Sequence, residues 1–176
     1  MTAHTASESK GALRQKPRVR LAVEADVPLL YSLIRDLAAY EDLLDRFLCT
    51  PASLSRELFV ERLLGAAIVE LPHGPDSESP DAPYRVAGFA LWYHNFSTFR
   101  GKRGLYLEDL FVRPEFRGKG CGRALLSWVA EHARATDCFR VDWSVLSWNE
   151  SAKSFYRTLG AAPVAGWEWW RISLED

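Results

Sequence analysis

Along the chain, stretches whose apolar residues recur every three or four positions alternate with short runs that are apolar throughout, which predicts helices interleaved with strands. "VRLA", Val19 to Ala22, reads as a first strand. Asp26 and Pro28 suit the opening turn of a helix, and Leu30, Leu33, Ile34 and Leu37 then share one face as far as Tyr40. Thr50 as cap and Pro51 as first helical residue predict a second helix carrying Leu54, Leu58 and Leu63. Ala66 to Leu71 reads as a strand, and the polar, proline-rich run Pro72 to Pro83 as a connection. "YRVAGFALWYHNF" and "GLYLEDLFV" are two long strands. Gly122, Leu125, Leu126, Val129 and Ala133 predict a helix from Gly120 to about Thr136. "RVDWSVL" is a β-rich run and "SWNESAKSFYRTLGA" a helix stopped at Gly160, capped either by a Ser147–Glu150 box or by Asn149. "WEWWRISL" is expected as a closing strand. The pattern is that of one α/β domain, a mixed sheet flanked by helices, over residues 17–176, with 1–16 as a polar, flexible tail.

Composition adds exclusions. The 176 residues are 48% apolar and 26% charged with a formal net charge of -1, so no global electrostatic attraction to nucleic acid or to an anionic membrane is expected. Basic residues cluster at one helix start and form no stripe with aromatics, which argues further against a nucleic-acid partner. Cys49, Cys121 and Cys138 have neither zinc-site nor disulfide spacing, as expected of free thiols in a reducing cytoplasm. No run approaches the ~20 apolar residues of a membrane span, and the opening residues lack the apolar core of a signal peptide.

The chemistry concentrates in "YLEDLFVRPEFRGKGCGRALL". Gly118, Gly120 and Gly122 bare the backbone at a helix start, where unpaired N–H groups and the positive end of the helix dipole suit an anion. Arg113, Arg117, Lys119 and Arg123 surround it with positive charge. A nucleotide P-loop is excluded because Gly122 is followed by Arg123 and Ala124 rather than by Lys and Ser or Thr. The glycine spacing does not fit a dinucleotide fingerprint either. The loop alone is consistent with a phosphate-bearing ligand or simply with a tight turn. Upstream, Glu108 and Asp109 interrupt an apolar strand and, by strict alternation, are expected on opposite faces, with Asp109 the better candidate for a structural arginine partner. Asn149 and Tyr156, seven residues apart, are expected on one face of their helix.

"RGKGCG" resembles the Q/R-x-x-G-x-G/A pyrophosphate loop of the GNAT superfamily of N-acetyltransferases. "YLEDLFVRPEFRGKGCG", "WNESAKSFYRTLGA" and "WEWWRI" are similar to the corresponding blocks of spermidine/spermine (diamine) and thialysine N-acetyltransferases, over most of Val19 to Leu174. The resemblance implies the GNAT fold, acetyl-CoA as co-substrate without a metal, and a homodimer. It implies that Leu110, Phe111 and Val112 offer backbone groups to the pantetheine arm, that the amides of Gly118, Lys119, Gly120, Cys121, Gly122 and Arg123 take the pyrophosphate, and that Arg117 braces the loop. Lys119 and Arg123 fit a solvated surface equally well, and Cys121 fits a small filler. By the same resemblance Asn149 binds the cofactor arm, Tyr156 touches the cofactor and protonates the departing thiolate, and Glu108 takes the ammonium proton through water. Tyr40, Glu41, Glu108 and Glu168 would contact the amine.

Trp167, Trp169 and Trp170 add aromatic bulk beyond that family's pattern, suited to cation–π contact with an amine or to dimer packing. The expected activity is direct acetyl transfer to a small polyamine or diamine in a ternary complex. A thialysine-like amino acid is the alternative substrate, and an acetyl-CoA-binding sensor or a protein acetyltransferase are rival readings.

Overall fold

A computed structural model describes residues 16–73 and 84–174. The connection expected at Pro72 to Pro83 lies mostly outside the described residues, as does most of the N-terminal tail. The chain divides into two compact units, Met1–Trp143 and Ser144–Asp176.

The first unit holds a five-stranded sheet in sequential order: β1 (Arg18–Leu21), β2 (Gly65–Pro72), β3 (Tyr84–Ser97), β4 (Lys102–Val112) and β5 (Val141–Asp142). The first four run antiparallel and β5 is parallel to β4, joined to it through α3 (Cys121–Ala135). Both faces of the sheet are covered, which is why "AAIVEL" in β2 is buried throughout instead of alternating. On one face, Leu30, Leu33 and Leu37 of α1 (Val27–Tyr40) and Leu54 of α2 (Pro51–Ser55) pack on Ala66, Ile68, Phe89, Leu91 and Phe111. On the other, α3 presents the buried Leu125 and Val129 and sets Trp128 and His132 against Trp92, with ring centroids 5.5 and 5.0 Å from it.

Three expected elements differ from those observed. The second helix is α-helical only to Ser55 and widens into a π turn over Arg56–Val60, so Leu63 lies beyond it. Only Val141 and Asp142 of "RVDWSVL" pair, with Leu105 and Tyr106. The run expected as a closing strand forms none: Trp167, Trp169, Trp170, Ile172 and Leu174 are 77–94% exposed. β-propensity measures fit to a pleated neighbour, and among the described residues no strand pairs with that segment to satisfy it.

Beside the sheet, Arg20 ties β1 to the turn before α1. Its guanidinium pairs with Asp26 at 2.6 Å and its Nε donates to Glu70 at 3.0 Å, and both carboxylates are buried. The Arg20 hydrogen bond holds the Asp26 carboxyl below its usual range against the opposing effect of burial. Arg20→Met would leave two buried carboxylates without this cation, an expected loss of about 3 kcal/mol, read as a lower urea midpoint with unchanged slope. Because the folded pKa of Asp26 is depressed, its contribution is complete above the unfolded value, near pH 4, and disappears as pH falls through the folded value. The variant should therefore lose the acid limb of stability that the wild type shows below about pH 5.

Candidate active site

From β4 the chain passes through a short 3-10 turn, Pro114–Phe116, into the glycine loop and α3. Gly118 and Gly120 hold φ of 73° and 86°, a left-handed backbone that side chains adopt only under strain. Among the described residues, a Cβ on Gly118 would meet nothing within 4 Å and one on Gly120 only Pro17 Cγ at 3.8 Å, so the glycines bend the chain where those residues leave space. Among the described residues no side chain caps α3, which leaves its first-turn amides as donors for a ligand. Lys119 and Arg123 are exposed around the loop. Arg117 braces it: Nε donates to the Val112 carbonyl at 3.1 Å, and the guanidinium lies 4.5 Å from the centre of the Tyr40 ring. Cys121 is buried, and desolvation pushes its thiol pKa up, as in a packing residue rather than a nucleophile.

Leu110, Phe111 and Val112 lead into this loop. Phe111 is buried in the core beneath α1 with its ring centroid 6.5 Å from that of Phe89, while Leu110 and Val112 are half-buried. β5 covers the outer edge of β4 only at Leu105 and Tyr106, so among the described residues no strand pairs with that edge from Leu107 to Val112. An extended ligand arm needs such an edge to add its own hydrogen bonds.

The acidic end of β4 departs from strict alternation. Leu91 of β3 pairs with Asp109 and Trp92 with Leu107, so Glu108 is the additional residue of a β-bulge. Leu91 belongs to the core under α1, whereas Trp92 packs on α3. Asp109 therefore faces α1 and Leu107 faces α3, although they are only two residues apart. With Glu108 inserted as an additional residue, strict alternation no longer assigns Glu108 and Asp109 to opposite faces. The charge of Glu108 acts on both Asp109 and Tyr93, and the Tyr93 ring centroid is 5.1 Å from that of Tyr106 on the α1 side. Glu41, just past the end of α1, also acts on Asp109.

The electrostatics follow. Asp109 is pushed up to about 7, first by desolvation and then by the like charges of Glu108 and Glu41. Burial raises the pKa of Glu41, and the Tyr93 phenol is raised by desolvation, Glu108 and Tyr106. Among the described residues no hydrogen bond or ion pair reaches Asp109, which corrects the reading of it as an arginine partner. Tyr40, Glu41 and Glu108 are thus brought to one end of the first unit, together with Asp109 and Tyr93. Tyr93 carried no signal of its own in the sequence, and Asp109 could be placed only once the bulge was known.

In the second unit, the Asn149 side-chain carbonyl accepts from the Ala152 N–H at 3.1 Å and caps α4 (Glu150–Arg157). This settles the cap in favour of Asn149 over the Ser147–Glu150 box. It leaves the Asn149 amide N–H groups as donors, at a residue that is buried. Asn149 is at the helix entry and Tyr156 one helix length on, about 10 Å along the axis at 1.5 Å per residue. Tyr156 is half-buried, 5.3 Å from Phe155 between ring centroids. Glu168 lies with Gly166, Trp167 and Trp170 around a shallow open hollow.

Residues 56–161 match the acetyltransferase (GNAT) family. The chain belongs to the GNAT family of acetyltransferases. This GNAT chain is 33% identical to the L-ornithine N5-acetyltransferase NATA1 of Arabidopsis thaliana, over 91% of its length and 86% of that protein. It is 36% identical to a thialysine N-epsilon-acetyltransferase of Bos taurus, over 89% and 92% of the two chains. It is 31% identical to the human spermidine/spermine N(1)-acetyltransferase-like protein 1, over 90% of this chain but 23% of that protein. Its fold is shared with the Vibrio cholerae integron cassette protein VCH_CASS6, with a TM-score of 0.68 at 23% identity over 89% and 92% of the two chains. The molecule is accordingly an N-acetyltransferase, and acetyl-CoA supplies the activated acetyl group in its family. Among the described residues, the site fits that group: left-handed glycines with space beside them, a 15-residue helix without a side-chain cap and exposed basic side chains form an anion cradle at the end of a strand edge that no strand covers. Among the described residues there is no group of three or more His, Cys, Asp and Glu arranged to hold a metal ion.

Proposed function

We propose that this N-acetyltransferase acts on a small aliphatic amine with two cationic centres, a polyamine or diamine. Transfer is direct, with both substrates bound together. The observation that carries this reading is the group of three carboxylates, Glu41, Glu108 and Asp109, at the bulge of β4 in a chain of near-zero net charge. A carboxyl such as Asp109, raised by burial and by two neighbouring negative charges, is relieved by a cation. In this reading Glu108 takes the ammonium proton through water, and Tyr40, Glu41 and Glu168 contact the remainder of the amine. The amides from Gly118 to Arg123 hold the pyrophosphate, with Arg117 bracing the loop. The edge at Leu110, Phe111 and Val112 and the Asn149 amide hold the pantetheine arm, and Tyr156 supplies the proton to the departing thiolate. We place the protein in the cytoplasm as a homodimer, with residues 17–176 as one catalytic domain.

A second reading, acetylation of the terminal amine of an ornithine- or thialysine-like amino acid, is favoured by the names of two relatives. The two are separated by CoA-release rates with putrescine, spermidine, thialysine, ornithine and an aminoglycoside. Putrescine and spermidine are expected to exceed the amino acids in kcat/KM by at least about tenfold, roughly the 1.4 kcal/mol of one modest ionic contact. The opposite order would assign the amino-acid substrate. Binding of acetyl-CoA without turnover of any amine would point to the sensor.

A further inference from the structure

At Gly88 the backbone of β3 comes closer to β4 than a side chain would allow. Along β2, Val69 pairs with Gly88 and Glu70 with Val86, so Ala87 is the additional residue of a second bulge, and bulged strands bend. On the other side Gly88 lies opposite Val112, and the Arg113 N–H donates to the Ala87 carbonyl at 2.9 Å. A Cβ on Gly88 would overlap the Phe111 carbonyl oxygen and stand 2.9 Å from Val112 Cα and 3.0 Å from the Phe111 carbonyl carbon. All three are backbone atoms, which cannot swing aside as the end of a side chain can. The oxygen belongs to the peptide that joins Phe111 to Val112. In a trans peptide the carbonyl and the N–H point in opposite directions, so a carbonyl turned toward β3 turns the Val112 N–H toward the other edge of β4. Among the described residues no strand covers that edge. The Val112 carbonyl on the same side accepts from Arg117 Nε at 3.1 Å.

We propose that Gly88 is a positioning residue for acetyl-CoA binding: its bare backbone sets the plane of the Phe111–Val112 peptide and so aims the Val112 N–H at the pantetheine arm. The assignment rests on the reading above that the arm lies along this edge of β4. A methyl group at position 88 would push the Phe111 oxygen aside, rotate the peptide plane and tip the Val112 N–H out of line, and hydrogen bonds weaken steeply with misalignment. The pyrophosphate loop begins further along the chain, where Gly118 and Gly120 hold its left-handed turns. Hydrogen bonds made by the two ends of one peptide polarise each other. A ligand on the Val112 N–H is therefore felt at the Phe111 oxygen and at Gly88 beside it.

The test compares CoA with 3′-phospho-ADP, which is CoA without its pantetheine arm, by isothermal titration of the full-length protein. Gly88→Ala is expected to weaken CoA by about five- to tenfold, the net worth of one hydrogen bond, and to leave 3′-phospho-ADP within about twofold. In turnover the KM for acetyl-CoA should rise by a similar factor, while the KM of the best amine in the panel above holds. Gly65→Ala is the control. A Cβ there would meet the buried Trp92 indole at 2.5–2.7 Å, a comparable overlap elsewhere in the sheet, and should cost stability while keeping the ratio of the two affinities. A merely structural Gly88 would behave like Gly65, and equal weakening of both ligands in Gly88→Ala overturns the proposal. Should that variant not fold, the isotopically labelled wild type decides. On addition of CoA the Val112 amide and Gly88 α-carbon resonances should both move, and with 3′-phospho-ADP neither. A Val112 signal indifferent to CoA removes the edge from the cofactor site and refutes the reading on which the proposal rests. A Val112 signal that responds while Gly88 stays still refutes the positioning role alone.

Discussion

Tyr156→Phe is expected to lower kcat by about 10² to 10³, the usual worth of a positioned general acid. It should leave the KM for acetyl-CoA within about twofold. The exchange keeps the half-buried ring beside Phe155 and removes one oxygen. The loss should fall on the step that needs the proton. An acetyl thioester of a more acidic thiol leaves without help, and with it the variant should recover most of its rate. Equal losses with both thioesters would remove Tyr156 from the chemistry. Glu108→Gln is expected to act at the other substrate: kcat falls by a similar factor, and raising the pH restores part of it because more of the amine is already neutral. If both variants turned over at near wild-type rates at saturation, the acid and base assignments would be wrong together.

The second large effect is at Gly120. With φ at 86° this position strains any side chain, and Val adds a branch at Cβ, where such a backbone is least tolerated. Among the described residues, the space its side chain would enter is bounded by Pro17 Cγ at 3.8 Å. Gly120→Val should therefore raise the KM for acetyl-CoA by about 10² to 10³, equivalent to one or two charge-assisted hydrogen bonds at roughly 1.5–3 kcal/mol each. At saturating acetyl-CoA much of kcat should survive. Gly120→Ala should do less, since it adds the strain with little of the bulk. Isothermal titration with CoA, alongside a urea unfolding curve, separates lost binding from lost stability. Unchanged CoA affinity in the valine variant would remove the loop from the cofactor site.

How far the sequence reaches is clearest in neighbouring residues of β4 and the loop it feeds. The helical repeat Leu125, Leu126, Val129 and Ala133, and the glycines ahead of it, are local signals: they report a helix and the bare backbone at its start without reference to any other part of the chain. The same is true of Pro28 and Leu30 to Leu37 in α1. Glu108 and Asp109 are different. Counting alternate residues puts them on opposite faces, and only the pairing of Leu91 with Asp109 and Trp92 with Leu107 reveals that one residue is additional. A bulge is a property of two strands, invisible in either alone. The shortness of β5 and the absence of a strand over Trp167 to Leu174 have the same origin, because a ladder needs a partner that propensity does not supply.

The amino-acid sequence by itself therefore determined the order of helices and long strands, the glycine-rich anion loop and the set of chemically capable side chains, because each rests on spacing and composition within a short window. The tertiary structure decided which of those side chains share a face. It set Asp109 opposite Leu91 on the α1 face, brought Glu41 within reach of its charge, and left it without a donor among the described residues, so that desolvation and two like charges push its pKa up to about 7. That outcome depends on contacts between residues far apart in the chain, where burial and Coulomb forces act through space.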